Sequence, residues 1–543
     1  MANQKYFFYA IIISSMGKIA KYLNQLTVGN VFDNPEILEE YSTDRSALKI
    51  KPKFVAFPES TSDIRKLLKF FNQLATKKIE VSVTARGSGL DEGGAPLSNG
   101  IIISTKKLNK MLEIDPRERL VRVQAGITLR ELNTALSVSG LMIPIDGRED
   151  ETIGGLISNN PVDECCGKYG GISNYIERIE VVLANGECLQ TERLKKYAVA
   201  KKAVEKTFEG ELYRKISKIL KENERTINEL GRDNFDRTGY PGVARLARKE
   251  TLDLMPLFFG AQGTLGIISE VILKAVPLRN PSTRVVATFK DIGTAVKYME
   301  TVKELKPRKL NLYDINIIMD ARETGKNLDG IIRKLEDGYA VFCSFDERGN
   351  YYAKKIASLR DALPRTAKFI FESPQNKNTL NEFENSLTNY LNYVKNGERV
   401  PILTDFYLPS WNVASFLGDL RILQQKLDID LELFGSFGAS NYSLRPKFDL
   451  EDPDYRKKAT TFLKAGAYII DRQAGMLAGG TPEGRLKAVV TNDSLLESEK
   501  ELYVKIKELF DKNGILNPDI KLGANSKFTL THFRTTGLPK FMV

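Results

Sequence analysis

The chain is poor in the side chains that most often carry proton transfer and transition-metal chemistry. A single histidine, His532, serves 543 residues. Nothing in the sequence around it offers a catalytic or metal-binding partner, which argues against a histidine-based triad or a multi-histidine metal centre. Four cysteines, Cys165, Cys166, Cys188 and Cys343, show no C-x-x-C spacing. They are too few for a disulfide framework or an iron–sulfur cluster and read as reduced thiols in a cytosolic setting. The adjacent pair Cys165 and Cys166 could form a redox couple, but free cysteine ordinarily packs as a small hydrophobe, and packing is the reading taken. Long apolar runs are also missing. Tyr6 to Met16 is apolar but only about half the roughly 20 residues that a spanning helix needs. An interfacial anchor, a signal-peptide core without a clear cleavage site, and a true start at Met16 stay open.

What is present suits a large globular protein. With 42% hydrophobic residues over this length, the chain can bury extensive cores and is expected to divide into two or three domains. A formal charge of +11 draws a surface toward anionic lipid, nucleic acid or an acidic small molecule without choosing among them. The lysines and arginines are scattered, with no aromatic-interleaved stripe, so no nucleic-acid partner is expected. A cytoplasmic location is expected, with peripheral contact at the inner face of the membrane left open.

Short elements alternate along the first half. Phe54–Phe57 reads as a strand, and Ser60 with Asp63 as a capping box before a helix with Ile64, Leu67, Leu68, Phe71 and Leu74 on one face. Strands are expected at Val81–Thr84, Ile101–Ser104, Val121–Gln124 and Ile179–Leu183, with a second capping box at Thr128 and Glu131. Between Val81–Thr84 and Ile101–Ser104, Arg86-Gly87-Ser88-Gly89-Leu90 runs on to Gly93-Gly94. A dinucleotide-binding turn would have to feed a helix, whereas Pro96, Ser98, Asn99 and Gly100 break one. The loop returns to a strand instead, and its backbone N–H groups could form an anion-binding nest. Between Glu187 and Leu257, a helix carries Leu212, Ile216, Ile219, Leu220 and Ile227 on one face and Lys215, Lys218 and Lys221 on the other. That is the pattern of an ordinary core-facing helix, with a membrane-surface role as the alternative.

Three further small-residue segments follow the first loop: Thr152-Ile153-Gly154-Gly155-Leu156-Ile157-Ser158-Asn159-Asn160, Gly167-Lys168-Tyr169-Gly170-Gly171, and Gly260-Ala261-Gln262-Gly263-Thr264-Leu265-Gly266-Ile267-Ile268. Together with Tyr41-Ser42-Thr43-Asp44, Gly186 and Gly514-Ile515-Leu516-Asn517-Pro518, they resemble the vanillyl-alcohol oxidase and p-cresol methylhydroxylase superfamily. The resemblance is nearest to the branch of D-lactate dehydrogenases and glycolate oxidase FAD subunits. It implies an α+β protein with a two-subdomain FAD-binding domain of the p-cresol methylhydroxylase type over 50–278, preceded by a lead-in at 1–49. A substrate or cap domain, an antiparallel sheet covered by helices, would occupy 279–464, and a closing C-terminal segment 465–543.

The resemblance also implies site residues. Arg86, Gly87, Ser88, Gly89, Leu90, Gly93 and Gly94 would meet the FAD diphosphate. Thr152, Ile153, Gly154, Gly155, Ser158, Gly167, Tyr169 and Gly170 would lie along its ribityl and adenosine parts, with Gly266 and Ile267 completing the cradle. Many relatives attach FAD through a histidine beside the first loop; none is present, so FAD is expected to be non-covalent.

In metal-assisted relatives a G-H-x-G-D-G-N-x-H stretch supplies two histidine ligands. The matching stretch is Gly435-Ser436-Phe437-Gly438-Ala439-Ser440-Asn441-Tyr442-Ser443, with serine at both ligand positions, so no metal is expected. A G-E-H-G-x-G-R stretch supplies a glutamate and histidine near the substrate hydroxyl; here it is Gly479-Gly480-Thr481-Pro482-Glu483-Gly484-Arg485. Both are replaced, by Gly480 and Thr481. Asp405 to Pro409 resembles a D-x-x-x-P landmark of the substrate domain.

The catalytic candidates left by position are Tyr240, Asn441, Glu483 and Arg485. Each has a plain structural alternative: packing for Tyr240, local amide bonding for Asn441, a displaced carboxylate for Glu483 and helix capping for Arg485. The expected function is FAD-dependent oxidation of an alcohol or hydroxy acid with an altered base. Its electrons would pass to a quinone, an electron-transfer protein or oxygen. The alternative is a flavin-binding protein of the same fold that has lost hydroxy-acid oxidation and acts as a binding or regulatory partner.

Overall fold

A computed structural model describes residues 16–98, 100–231, 236–321, 338–347, 350–365, 367–392 and 399–535. The apolar stretch Tyr6 to Met16 therefore lies almost wholly outside the described residues. Among those described, no helix is long and apolar enough to cross a membrane.

Three sheets organise the chain. The first has four strands in the order Asn30–Phe32, Phe54–Phe57, Ile101–Ser104, Val83–Arg86, the last three mutually parallel. Val83–Arg86 begins two residues later than the apolar pattern suggests. Its register is set by pairing Val83 with Ile101 and Arg86 with Ser104, which carries the strand to the mouth of the glycine loop. Leu516, from the far end of the chain, adds a parallel bridge to Val83. The helix Thr61–Thr76 is capped by Ser60 as expected, but only half of the capping box forms. The Asp63 carboxylate instead accepts from the N–H groups of Val28, Gly29 and Glu59, tying the lead-in to this helix.

The second sheet is antiparallel throughout, in the order Met111–Asp115, Leu120–Gln124, Ile267–Lys274, Ile176–Val182, Cys188–Gln190. Its core takes in the helix Leu129–Ser137, where Thr128 and Glu131 form the full capping box. The core also takes in the inserted helix Phe208–Glu222, which buries Leu212, Ile216 and Ile219. On the solvated side Lys215 and Lys218 pair with Glu211 and Glu222 one turn away. The helix Glu497–Phe510 from the C-terminal segment packs into the same core through Leu502, Tyr503, Ile506 and Phe510.

The third sheet has seven antiparallel strands in the order Lys368–Phe371, Thr283–Phe289, Tyr339–Phe345, Lys309–Asp314, Asp430–Ser436, Asn441–Lys447, Leu403–Tyr407. Helices Ile292–Glu304, Val413–Leu427 and Tyr455–Arg472 cover it, and their apolar faces form one buried cluster with the sheet. Mixed α and β layers with an antiparallel third sheet agree with the expected class.

Candidate active site

The strand Val83–Arg86 delivers the glycine loop to one wall of a cleft. Opposite stand the helix Ile153–Asn159 and the segment 262–268. Arg86, Gly87, Ser88, Gly89, Gly93, Gly94, Gly154, Gly155, Ser158, Gly266 and Ile267 line it together. The walls approach closely because Gly87 has no side chain; a Cβ there would lie 2.1 Å from the Thr152 hydroxyl. That hydroxyl caps the helix by accepting from the Gly155 N–H at 3.2 Å.

Among the described residues, the main-chain N–H groups of Gly87, Ser88 and Gly89 have no acceptor, and Gly89 turns the chain through φ 78°. Unpartnered N–H groups at a left-handed turn form a nest for an anionic group such as a diphosphate. Arg86 braces the loop from beneath. It donates to the Tyr41 carbonyl at 3.1 Å and lies 4.8 Å over the Tyr41 ring, while Asp44 accepts from the N–H groups of Gly94 and Ala95. The Tyr41 to Asp44 segment thus serves to hold the loop.

Charged side chains, of which only Asp405 falls on a pattern in the sequence, line the same cleft or lie just behind it. Arg148 is buried and donates to Glu151 at 2.9 Å, to Asp91 at 3.3 Å and to Asp405 at 3.4 Å. Glu92 accepts from the Thr404 hydroxyl and sits 3.6 Å from the ammonium of Lys487, which is itself wholly buried. Lys487 also donates to the Thr404 carbonyl at 3.1 Å and to the Thr481 hydroxyl at 2.9 Å. Burial pushes the Glu92 carboxyl up to about 7 against the pull of Lys487 and Thr404, and Glu151 likewise to about 7 against Arg148.

Of the four catalytic candidates, three are committed elsewhere. Tyr240 is buried, donates to the Thr264 hydroxyl at 2.9 Å and meets Tyr503 edge-on. Burial raises its pKa, the wrong direction for a base. Glu483 is paired with Lys521 at 2.5 Å and accepts from the Gly239 N–H at 2.7 Å. Arg485 spends its guanidinium on the carbonyls of Ala95 and Pro518 and on the Asn517 side chain. It caps no helix and, with these three acceptors, has no open fork for a carboxylate. Asn441 donates to the Val162 carbonyl at 3.1 Å and to Asp405 at 3.3 Å.

Beside it the position of the missing glutamate is physically closed. A Cβ on Gly480 would fall 2.2 Å from both the Asn441 amide oxygen and the Asp405 carbonyl. Ser443, at one former ligand position, is within hydrogen-bond reach of the Asp405 N–H and carboxylate; the hydroxyl of Ser436, at the other, is buried without a partner.

The remaining expected cofactor residues do not line this cleft. Leu90 donates its N–H to Ser88, Thr152 caps the helix and Ile153 is buried in the second sheet's core. Gly167, Tyr169 and Gly170 lie at the joint with the third sheet. Gly167 packs on the Gly438 backbone, the Tyr169 hydroxyl donates to Asp346, and Gly170 ends the turn Cys166–Tyr169. Cys165 and Cys166 donate to Asp146 and Asp163, and burial raises both thiol pKa values, in keeping with packing. His532 stacks on Phe528 at the end of the helix Ser526–Thr531, its ring Nδ1 2.7 Å from the Phe528 carbonyl.

Residues 52–192 match the family model of the FAD binding domain, and residues 279–520 that of the FAD linked oxidases, C-terminal domain. The chain belongs to the FAD-linked oxidases. This oxidase is 23% identical over 505 residues to a D-lactate dehydrogenase of Anaerostipes hadrus, covering 89% of this chain and 92% of that protein. It is 25% identical over 472 residues to a D-lactate dehydrogenase of Archaeoglobus fulgidus, covering 86% and 90%. A D-2-hydroxyglutarate dehydrogenase of Pseudomonas putida is 23% identical over 504 residues, 88% of this chain but only 49% of that protein, so this oxidase spans about half of it.

In fold it is similar to 4-ethylphenol oxidase from Gulosibacter chungangensis (TM-score 0.66, 17% identity, 91% and 94% of the two chains). It is also similar to p-cresol methylhydroxylase (TM-score 0.65, 13% identity, 93% and 96%). The oxidase is an FAD-dependent oxidoreductase with a small-molecule substrate and an electron acceptor. The unpartnered N–H groups of residues 87–89 and the side-chain-free wall at Gly87 fit the diphosphate of that cofactor.

Proposed function

We propose that this oxidase dehydrogenates the carbinol carbon of a small hydroxy acid or alcohol, holding FAD non-covalently and using no metal. The observation that carries the reading is the juxtaposition of the glycine-lined cleft with a buried set of charged groups drawn from residues 91–92, 148–151, 404–405 and 487. FAD, when bound, supplies a two-electron hydride acceptor. The chain supplies the rest. The N–H groups of Gly87, Ser88 and Gly89 hold the diphosphate, Asn441 presents its amide beside Asp405, and Arg148 and Lys487 are the cations set among the carboxylates of Asp91, Glu92, Glu151 and Asp405. The lone imidazole, His532, is engaged with Phe528 and is not among the residues lining the cleft, which supports non-covalent binding. Hydroxyls at positions 436 and 443 are poor ligands for a transition metal, which supports a metal-free site.

In this reading the electrons pass on to a quinone, an electron-transfer protein or oxygen. The test is to purify the yellow holoprotein, precipitate it with acid, and follow anaerobic bleaching by D-lactate, glycolate and D-2-hydroxyglutarate with and without a chelator. Flavin released to the supernatant and bleaching indifferent to chelation are expected. Flavin retained in the pellet, or bleaching abolished by chelation, refutes the corresponding part. A yellow protein bleached by none of the three would favour a flavin-binding protein that has lost hydroxy-acid oxidation.

A further inference from the structure

The reading above leaves the donor hydroxyl without an acceptor for its proton, since the positions of the resembled glutamate and histidine are Gly480 and Thr481. We propose that Glu92, seated against the Lys487 ammonium, takes that proton, and that Lys487 is its positioning residue. The inference rests on the hydroxy-acid reading and concerns the same site.

The geometry is specific. Glu92 lines the cleft. One of its oxygens, Oε1, is held by the Thr404 hydroxyl, whereas Oε2 is buried, has no hydrogen-bond partner and lies 3.6 Å from Lys487 Nζ. Lys487 Nζ is in turn 2.9 Å from the hydroxyl of Thr481, so the pair occupies the surroundings of the position where the resemblance puts an imidazole. The backbone of Glu92 is clamped from two sides. Its carbonyl accepts from the Gln262 side chain at 3.2 Å, and Gly484 presses on its Cβ, with a Cβ on that glycine falling 3.1 Å away.

The charged groups facing the carboxyl are Lys487 from the helix Gly484–Ser494, Asp91 beside it and Asp405 from the strand Leu403–Tyr407. Arg148 lies behind the two aspartates, bonded to both. Burial raises the carboxyl to about 7, with Asp91 and Asp405 adding to the rise and Lys487 opposing it. An acceptor that titrates near neutrality is matched to its task.

The step balances. The donor O–H bond breaks and its proton goes to Glu92 Oε2. The oxygen's electron pair closes the C=O bond, and the C–H pair leaves as hydride to the flavin, the two-electron oxidant. The carboxyl returns its proton to solvent after product leaves.

The experiment compares wild-type holoprotein with Glu92→Gln and Lys487→Met. In the absence of any substrate, the visible flavin spectrum followed between about pH 5.5 and 8.5 is expected to show a transition near neutrality in wild type. Measured in a Glu151→Gln background, which removes the other carboxyl of the cleft raised to about 7, it should be absent when Glu92→Gln is added and displaced to higher pH when Lys487→Met is added, where the cation that lowers the carboxyl pKa is gone. With whichever of D-lactate, glycolate or D-2-hydroxyglutarate bleaches wild type, Glu92→Gln should retain yellow flavin but bleach roughly 10²–10⁴-fold more slowly. The wild-type rate should rise as pH passes upward through the transition. A transition missing from Glu151→Gln, or kept when Glu92→Gln is added to it, overturns the role of Glu92 whether or not any substrate is found. Failure of all three donors to bleach wild type overturns the hydroxy-acid reading instead.

Discussion

Replacing Lys521 by methionine should unfold this oxidase more readily by about 3–5 kcal/mol, the usual cost of stranding one member of a buried ion pair. The estimate follows from the surroundings of Glu483. Its carboxylate lies 2.5 Å from Lys521 Nζ, with side-chain exposures of 0% and 2%, and it also accepts from the Gly239 N–H at 2.7 Å. Without the ammonium, a charge would remain buried on main-chain donors. The pair itself contributes less than this loss suggests. Burial pushes the Glu483 pKa up and the Lys521 pKa down, so desolvation exceeds the mutual attraction on both sides.

A double variant, Glu483→Gln with Lys521→Met, removes both charges while the glutamine oxygen still accepts from Gly239. It should recover most of the lost stability, with a coupling energy of about 2–3 kcal/mol. Denaturant unfolding of the three holoproteins at one flavin concentration, followed by far-UV circular dichroism and flavin fluorescence, measures this cycle. Anaerobic bleaching of the double variant then asks whether the carboxylate does chemistry. A Lys521→Met protein within about 1 kcal/mol of wild type would refute the energetic argument. A double variant that is stable and yellow but no longer bleached would show that Glu483 acts on the donor.

Three further outcomes follow from the same contacts. Gly480→Ala should lose about 1–3 kcal/mol by overpacking, because its Cβ meets the Asn441 side chain and the Asp405 carbonyl at 2.2 Å; a thermally unaltered variant would mean the position is open. Tyr240→Phe should lose about 0.5–1.5 kcal/mol with the bond to Thr264 and leave flavin reduction unchanged; a large fall in reduction rate would make Tyr240 catalytic. Asp146 is held well below the ordinary carboxylate range, since Lys309, Arg308 and Arg279 together outweigh the opposing effect of burial. A depressed carboxylate contributes stability that is present above its unfolded value, about 4, and lost as pH falls through the folded value. Asp146→Asn should therefore lower stability at neutral pH and flatten its acid dependence below about pH 4, as read from denaturation midpoints across that range.

The elements most legible in the sequence are those whose neighbours in space are also neighbours in pattern. Ile101–Ser104 forms where the apolar run lies, and Leu129–Ser137 starts at the capping box that marks it. The helix Ile153–Asn159 was not expected, because Gly154 and Gly155 are poor helix formers. It forms because Thr152 caps it and because the missing side chain at Gly154 lets its N–H reach the Ala125 carbonyl at 2.7 Å. The cradle glycines were legible for a related reason: glycine in a close approach leaves a mark in the sequence that a charged residue does not.

Most of the charged interior was illegible because its members are ordinary surface residue types drawn from four separate stretches of the chain. Asp405 falls on a landmark, but Asp91, Glu92, Arg148, Glu151 and Lys487 carry no spacing that announces burial, and Arg148 and Lys487 offset part of the acidic charge around them. The same logic links what is absent to what is present. Where the resemblance puts a glutamate and a histidine, this chain has Gly480 and Thr481, and the buried polar groups around them need partners of their own. The Asn441 amide closes against Gly480, and the Lys487 ammonium reaches Thr481 with Glu92 behind it. The buried lysine–glutamate pair thus meets the polar groups around Thr481. A histidine placed at 481 would therefore have to displace Lys487.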